Sequence, residues 1–221
     1  MNEDAFGALR AAYRDYHPSC RRDRRSADVE IWAGSKTLDW LAPLQPLSVD
    51  ILDIGCGGGW LAGRLTAYGR VSGIDDNDIG RSLGILAQAR GEYHAGDVNN
   101  RLLPRYLTVG APSPRSKDGF SVALALNAPA LPSDFIRFCA SVADILADGG
   151  WFVWSPPTHQ FFNDTEDWGA VLGANFQLID KAVMPTVVGD LGSNPASALI
   201  MLAQRQSQSE NRLNMRGRPP R

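Results

Sequence analysis

The run Val49-Asp50-Ile51-Leu52-Asp53-Ile54-Gly55-Cys56-Gly57-Gly58-Gly59-Trp60-Leu61 constrains this chain more than any other stretch. It reads as a buried apolar strand ending in an acid, followed at once by a glycine-dense turn and then a helical segment over residues 60–68. Glycine lets a backbone take positive φ, or approach a ligand with no Cβ in the way. The helix after the turn is expected to present unpaired N–H groups and the positive end of its dipole to that ligand. In an open α/β sheet such a turn lies at the carboxyl end of a strand, where these folds bind ligands.

The residue types narrow the ligand to an adenosine-containing cofactor. A dinucleotide fingerprint wants Gly-x-Gly-x-x-Gly/Ala, its third small residue letting helix and strand pack closely. Counted from Gly55 and Gly57, that third position is Trp60, far too large. The spacing is instead Asp-x-Gly-x-Gly-x-Gly, with Asp53 two residues before Gly55. An acid there repels a pyrophosphate and suits a cationic amino-acid group. This pattern resembles motif I of the class I S-adenosylmethionine-dependent methyltransferases.

Other stretches extend the resemblance. Val71-Ser72-Gly73-Ile74-Asp75-Asp76-Asn77 reads as a second strand ending in Asp75, and Glu92-Tyr93-His94-Ala95-Gly96-Asp97-Val98 as a third strand leading to Asp97. The intervals Asp53 to Asp75 and Asp75 to Asp97 are each 22 residues, room for one crossover helix apiece. Residues 120–126 form an apolar fourth strand, and residues 147–154 look like the family's helix stop, paired glycines and fifth strand. The resemblance covers residues 49–204 in order.

For the site, the resemblance implies S-adenosyl-L-methionine as cofactor and S-adenosyl-L-homocysteine as product. It places Asp53 near the methionine amino group and the backbone of Gly55 and Gly57 beneath the cofactor, with Cys56 and Gly59 in the same loop. Asp75 takes the ribose, since a carboxylate can accept from both hydroxyls of a cis-diol. Asp97 takes the adenine amino group, and Asn127, after the fourth strand, contacts the methionine part. Asp76 departs from the apolar residue often stacked on adenine at that position, leaving the contact to Val98 or Ile79. The competing reading makes the glycines parts of a tight turn and Asp75 a helix cap.

The chain has 221 residues, 44% hydrophobic and 21% charged, which fits one soluble domain with a substantial core. A net charge of −2 gives no basic face of the size a nucleic-acid footprint needs. No apolar stretch reaches transmembrane length, and the N-terminus lacks a secretory pattern, so a cytoplasmic protein with no membrane association is expected. The cysteines, Cys20, Cys56 and Cys139, are odd in number and lack metal-ligand spacing; reduced thiols and no metal site are expected. Monomer and homodimer are both open.

Three regions follow. Residues 1–46 read as an N-terminal helical lid or cap, residues 47–204 as the cofactor-binding domain, and residues 205–221 as a disordered basic tail. In the first, Phe6, Leu9, Tyr13 and Tyr16 recur at helical spacing until Pro18, and a second helix over 27–41 places Ile31, Ser35 and Leu38 on one face with Trp32 beside it. Arg21-Arg22-Asp23-Arg24-Arg25 reads as a solvated turn between them, or as a docking point for an acidic acceptor. Further helices are expected over 78–90, 99–107 and 133–146. Residues 176–183 and 198–203 read as two closing strands whose broken connection suits a hairpin-like pair. The expected fold is therefore an α/β, seven-stranded, mostly parallel sheet with helices on both faces and an antiparallel last strand, preceded by N-terminal helices.

Methyl transfer needs a general base only where the nucleophile must lose a proton. His159, beyond the fifth strand, is the candidate, and an ordinary loop histidine is the alternative. Tyr13, Tyr16 and Trp32 are candidate lid residues over cofactor and acceptor; packing of helices on the sheet is the competing reading. The expected activity is methylation of a small-molecule acceptor, at oxygen, nitrogen or carbon. An RNA or protein methyltransferase, a non-catalytic S-adenosylmethionine-binding scaffold and an NAD-dependent oxidoreductase stand as alternatives, the last disfavoured by Trp60 and the closing strands.

Overall fold

The computed structural model describes residues 24–44, 49–56, 59–75, 92–95, 118–126, 132–155, 172–184 and 199–207; for residues 24–28, 75, 92–95, 132–134 and 174 it describes the backbone alone. In chain order these form α1 (Arg24–Leu41), a 3-10 turn (Ala42–Leu44), β1 (Val49–Ile54), α2 (Ala62–Leu65), β2 (Gly69–Asp75), β3 (Glu92–Ala95), β4 (Phe120–Ala125), α3 (Pro132–Ile145), β5 (Leu146–Trp154), a second 3-10 turn (Gly173–Asn175), β6 (Phe176–Val183) and β7 (Leu199–Arg205).

The seven described strands make one sheet in the order β3-β2-β1-β4-β5-β7-β6. Strands β1 to β5 pair in parallel, and β7 runs antiparallel to both β5 and β6. The expected mostly parallel sheet with an antiparallel last strand is the one observed. Its order reverses direction beside β1, which has β2 on one side and β4 on the other.

Both faces are covered, so alternate residues of the central strands enter two separate apolar layers. On one face, Phe135, Cys139, Val142 and Ala143 of α3 recur at helical spacing and pack on Leu52, Ile54, Phe152 and Trp154. The ring centroids of Phe135 and Trp154 are 4.3 Å apart. On the other face, Ile31, Trp32 and Leu41 of α1 and Leu65 of α2 pack on Ile51, Val71, Val122, Val153 and Ile200.

Several boundaries differ from the sequence reading. The helix expected over 60–68 is a single four-residue turn, Ala62–Leu65. The Thr66 hydroxyl donates back to the Gly63 carbonyl at 2.8 Å, and the chain must re-enter the sheet at Gly69. A helix this short adds little macrodipole to the glycine turn before it. α1 opens at Arg24 rather than at residue 27, so Arg24 and Arg25 belong to its first turn and not to a loop; arginine is a good helix former, and no glycine or proline breaks the run there. β7 continues to Arg205, which pairs with Phe176 across the ladder and lies 3.4 Å from the Asp148 carboxylate, so this residue is part of the sheet and not of a tail. The helices expected over 78–90 and 99–107 lie outside the described residues.

Candidate functional site

A sheet whose order reverses leaves a crevice outside the carboxyl ends of the strands at the reversal, because the adjoining connections depart to opposite faces. Here those strands are β1 and β4. Asp53 lies one residue from the end of β1, pairing in register with Gly73 of β2 and Leu124 of β4. It is 4% exposed and shares its face with Ile51, the face that carries α1. A carboxylate so enclosed favours a cationic partner over an anionic one.

The turn after β1 is held by backbone. The amides of Gly55 and Cys56 both donate to the Ile74 carbonyl, at 2.8 and 3.3 Å, and the Gly59 amide donates to the Cys56 carbonyl at 2.8 Å. Gly55 and Gly59 take φ of 76° and 78°, a region that side-chain-bearing residues rarely adopt. A Cβ on Gly55 would meet no described atom within 4 Å. That differs from Gly69, where a Cβ would run into the Val49 carbonyl oxygen. Packing therefore demands glycine at 69, whereas among the described residues none fills the space beside Gly55, as the cradle of a ligand requires.

Asp53, Gly55, Cys56 and Gly59 are thus brought together at one strand end. The shared acceptor Ile74 immediately precedes Asp75, so the backbone of Asp75 adjoins the turn. Asp75 pairs with Ala95, the last residue of β3. β4 ends at Ala125, whose carbonyl accepts from the Ser155 amide at 3.1 Å. Gly57, Asp76, Asp97, Val98, Asn127, His159, Tyr13 and Tyr16 lie outside the described residues. Trp32 is 8% exposed and sits in the same apolar layer as Cys56 and Trp60, where it packs α1 on the sheet.

Gly34 of α1 had no role in the sequence reading, and Trp60 none beyond its bulk. A Cβ built on Gly34 of α1 would stand 2.5 Å from Cη2 of Trp60 and 3.4 Å from a Leu61 methyl. The Trp60 indole therefore lies against bare helix backbone. A glycine in mid-helix costs about 1 kcal/mol relative to alanine and so signals close packing; in the sequence nothing names its partner.

Among the described residues no group of His, Cys, Asp and Glu could hold a metal ion. Cys139 lies within the α3 layer, a different apolar layer from that of Cys56, and burial pushes its thiol from 9.0 up to about 12, leaving it a neutral core residue. No described helix is long and apolar enough to cross a membrane.

No protein-family model and no curated protein matches the sequence. Solved structures do match in fold. A 1,6-didemethyltoxoflavin N1-methyltransferase from Burkholderia thailandensis, solved with its acceptor and S-adenosylhomocysteine, is 16% identical at a TM-score of 0.60 over 94% of this chain and 92% of its own. The N-methyltransferase NodS from Bradyrhizobium japonicum, with S-adenosylhomocysteine, is 12% identical at 0.54 over 89% and 99%. The [4+2]-cyclase SpnF is 15% identical at 0.54 over 84% and 83%. The chain has the Rossmann-like fold of class I S-adenosylmethionine-dependent methyltransferases, a fold it shares with a protein named for a cyclisation.

Proposed function

We propose that this chain binds S-adenosylmethionine and catalyses transfer of its methyl group to a small-molecule acceptor. The observation that carries this reading is the enclosed carboxylate of Asp53, two residues before positive-φ Gly55, at the point where the strand order reverses. The antiparallel β7, inserted between β5 and β6, supports it independently of the glycine turn. So does the shared fold with two N-methyltransferases, one of them solved with its small-molecule acceptor.

When bound, the cofactor supplies an already activated methyl group, so the protein's task is alignment. Asp53 holds the cationic amino group, and the Gly55–Gly59 backbone lets the ligand lie close to the strand end. Asp75 accepts from the ribose hydroxyls, Asp97 from the adenine amino group, and Asn127 contacts the methionine part. Cys56 helps hold the turn from the core side, Val98 or Ile79 covers adenine, and Asp76 follows the ribose acid in the cofactor-binding set. His159, past the end of β5, takes a proton from the acceptor where one must leave. Tyr13 and Tyr16 close over the acceptor. The protein acts in the cytoplasm with its thiols reduced.

A second reading keeps the cofactor site but not methyl transfer, since the cyclase SpnF has this fold. Calorimetric titration with S-adenosylmethionine, S-adenosylhomocysteine and NAD, followed by a methyl-acceptor screen, separates the possibilities. Binding of both adenosyl ligands with NAD silent supports the cofactor reading; NAD alone overturns it. Binding without methylation of any acceptor in the screen favours the second reading. In an active enzyme, His159→Ala is expected to lower turnover and leave cofactor affinity intact.

A further inference from the structure

The glycine turn is built against α1 as well as against the sheet. Trp60 directly follows Gly59, whose amide closes the turn on the Cys56 carbonyl at 2.8 Å. The side chains of Cys56 and Trp60 enter the same apolar layer as Ile31 and Trp32 of α1. Within that layer the Trp60 indole, 8% exposed, lies where a Cβ at position 34 would be, 2.5 Å from Cη2.

α1 cannot easily withdraw from this contact. Beyond Gly34, Leu41 is fully buried in the layer that packs α1 on the sheet. The Leu38 carbonyl accepts from the Tyr68 hydroxyl at 3.4 Å, and the Trp40 indole N–H donates to Asp180 at 3.0 Å. A side chain added at Gly34 would therefore move the indole sooner than the helix. The indole is joined through its own Cα to Gly59, held at φ 78°, so its displacement passes into the turn.

We infer that Gly34 and Trp60 form a positioning contact for the cofactor turn, through which α1 sets the cofactor affinity of the site. In dinucleotide-binding folds a small residue in the third fingerprint position lets helix and strand approach; here that position carries the bulk, and the small residue is supplied by α1. This inference rests on the cofactor reading above. Neither residue is placed in contact with ligand, so both act through the backbone of Gly59 and of Cys56, which the Gly59 amide joins.

The test uses the full chain and its Gly34→Ala, Trp60→Phe and doubly substituted variants, each measured for S-adenosylhomocysteine affinity by calorimetry and for thermal stability without ligand. Gly34→Ala is expected to weaken binding by roughly tenfold or more, the scale of small misplacements at a positioned ligand. In the Trp60→Phe background, where the outermost ring atoms are gone, the same alanine should cost no further affinity. A folded Gly34→Ala variant with unchanged affinity overturns the inference, whatever its melting temperature, because a merely structural contact moves stability and not the affinity of folded protein. Equal losses in both backgrounds overturn it too. Should Gly34→Ala fail to fold, Trp60→Phe decides: weakened binding supports the inference and wild-type binding overturns it. Absence of binding by the unsubstituted chain would instead overturn the cofactor reading itself.

Discussion

The indole N–H of Trp40, in the last turn of α1, donates to Oδ2 of Asp180 on edge strand β6 at 3.0 Å, joining residues 140 positions apart. Oδ1 of the same carboxylate accepts from the Lys181 amide at 2.8 Å. The helix that packs beside the glycine turn is thereby tied to the far edge of the sheet. Asp180 follows a break in the β6–β7 register between Leu178 and Asp180, where Ile179 is left without a partner in the strand register. An irregularity there also blunts an edge that could otherwise template pairing with another chain.

Trp40→Phe and Asp180→Ala are each expected to lower stability by about 1 kcal/mol, the usual net value of one intramolecular hydrogen bond. Together they should cost less than the sum of the two, since each removes the same interaction. Urea unfolding of the four proteins in the cycle measures the coupling; strict additivity would show that the bond contributes nothing.

Asp53→Asn preserves the shape of a buried strand residue and removes its charge. It is expected to weaken S-adenosylmethionine binding by about 1.5–3 kcal/mol, as Asp75→Ala should by the same range, the cost of losing charge-assisted hydrogen bonds. Calorimetry on the folded variants checks both. Wild-type affinity in either would remove that carboxylate from the site.

Two glycines should respond differently to alanine. At Gly55 the added methyl meets no described atom, so the fold bears only the strain of positive φ, about 1–2 kcal/mol, while cofactor binding suffers because the methyl enters the cradle. At Gly69 the methyl collides with the Val49 carbonyl at the first β1–β2 pair, and the loss should exceed about 3 kcal/mol. Thermal melting and ligand titration of the two variants distinguish a site glycine from a packing glycine.

The alkaline limb of the stability profile should carry the mark of Cys139. Its folded thiol holds its proton up to about 12 and the unfolded thiol only to 9.0. Above pH 9.0 the unfolded chain binds fewer protons, so this group's contribution is complete below that pH and is lost progressively as pH rises toward about 12. Tyr68, raised by burial and by the Asp39 carboxylate, acts in the same direction. Cys139→Ala should be less stable near neutrality through lost packing, yet decline less steeply in that window. Urea midpoints measured across the range for both proteins isolate the thiol, because Tyr68 is common to them.

Local pattern made most of the fold legible. The apolar run at 49–54, the strand ending at Asp75 and the closing strands are written in residue types that bury well in a pleated sheet, and their order along the chain matches the structure. The face of α1 was readable too: Ile31 and Ser35 are buried and Leu38 packs against the layer beneath. Among the described site residues, Asp53, Gly55, Cys56 and Gly59 are neighbours in sequence, so their meeting at one turn needed no tertiary knowledge. Where the reading failed, the local signal was satisfied by more than one answer. Residues 60–68 carry a helical pattern, but a back-bonded Thr66 and the return to β2 confine the helix to Ala62–Leu65.

The sequence by itself thus determined the alternation of strands and helices, the acid-and-glycine turn and the antiparallel close, because each depends on periodicity or on backbone freedom within a few residues. Only the tertiary structure decided which strands lie beside β1, that Ile74 holds the turn, that Asp180 receives Trp40, and that Gly34 is glycine because Trp60 is tryptophan. Those are contacts between segments far apart in the chain. A local pattern states how much surface a residue must bury, and packing alone states against what.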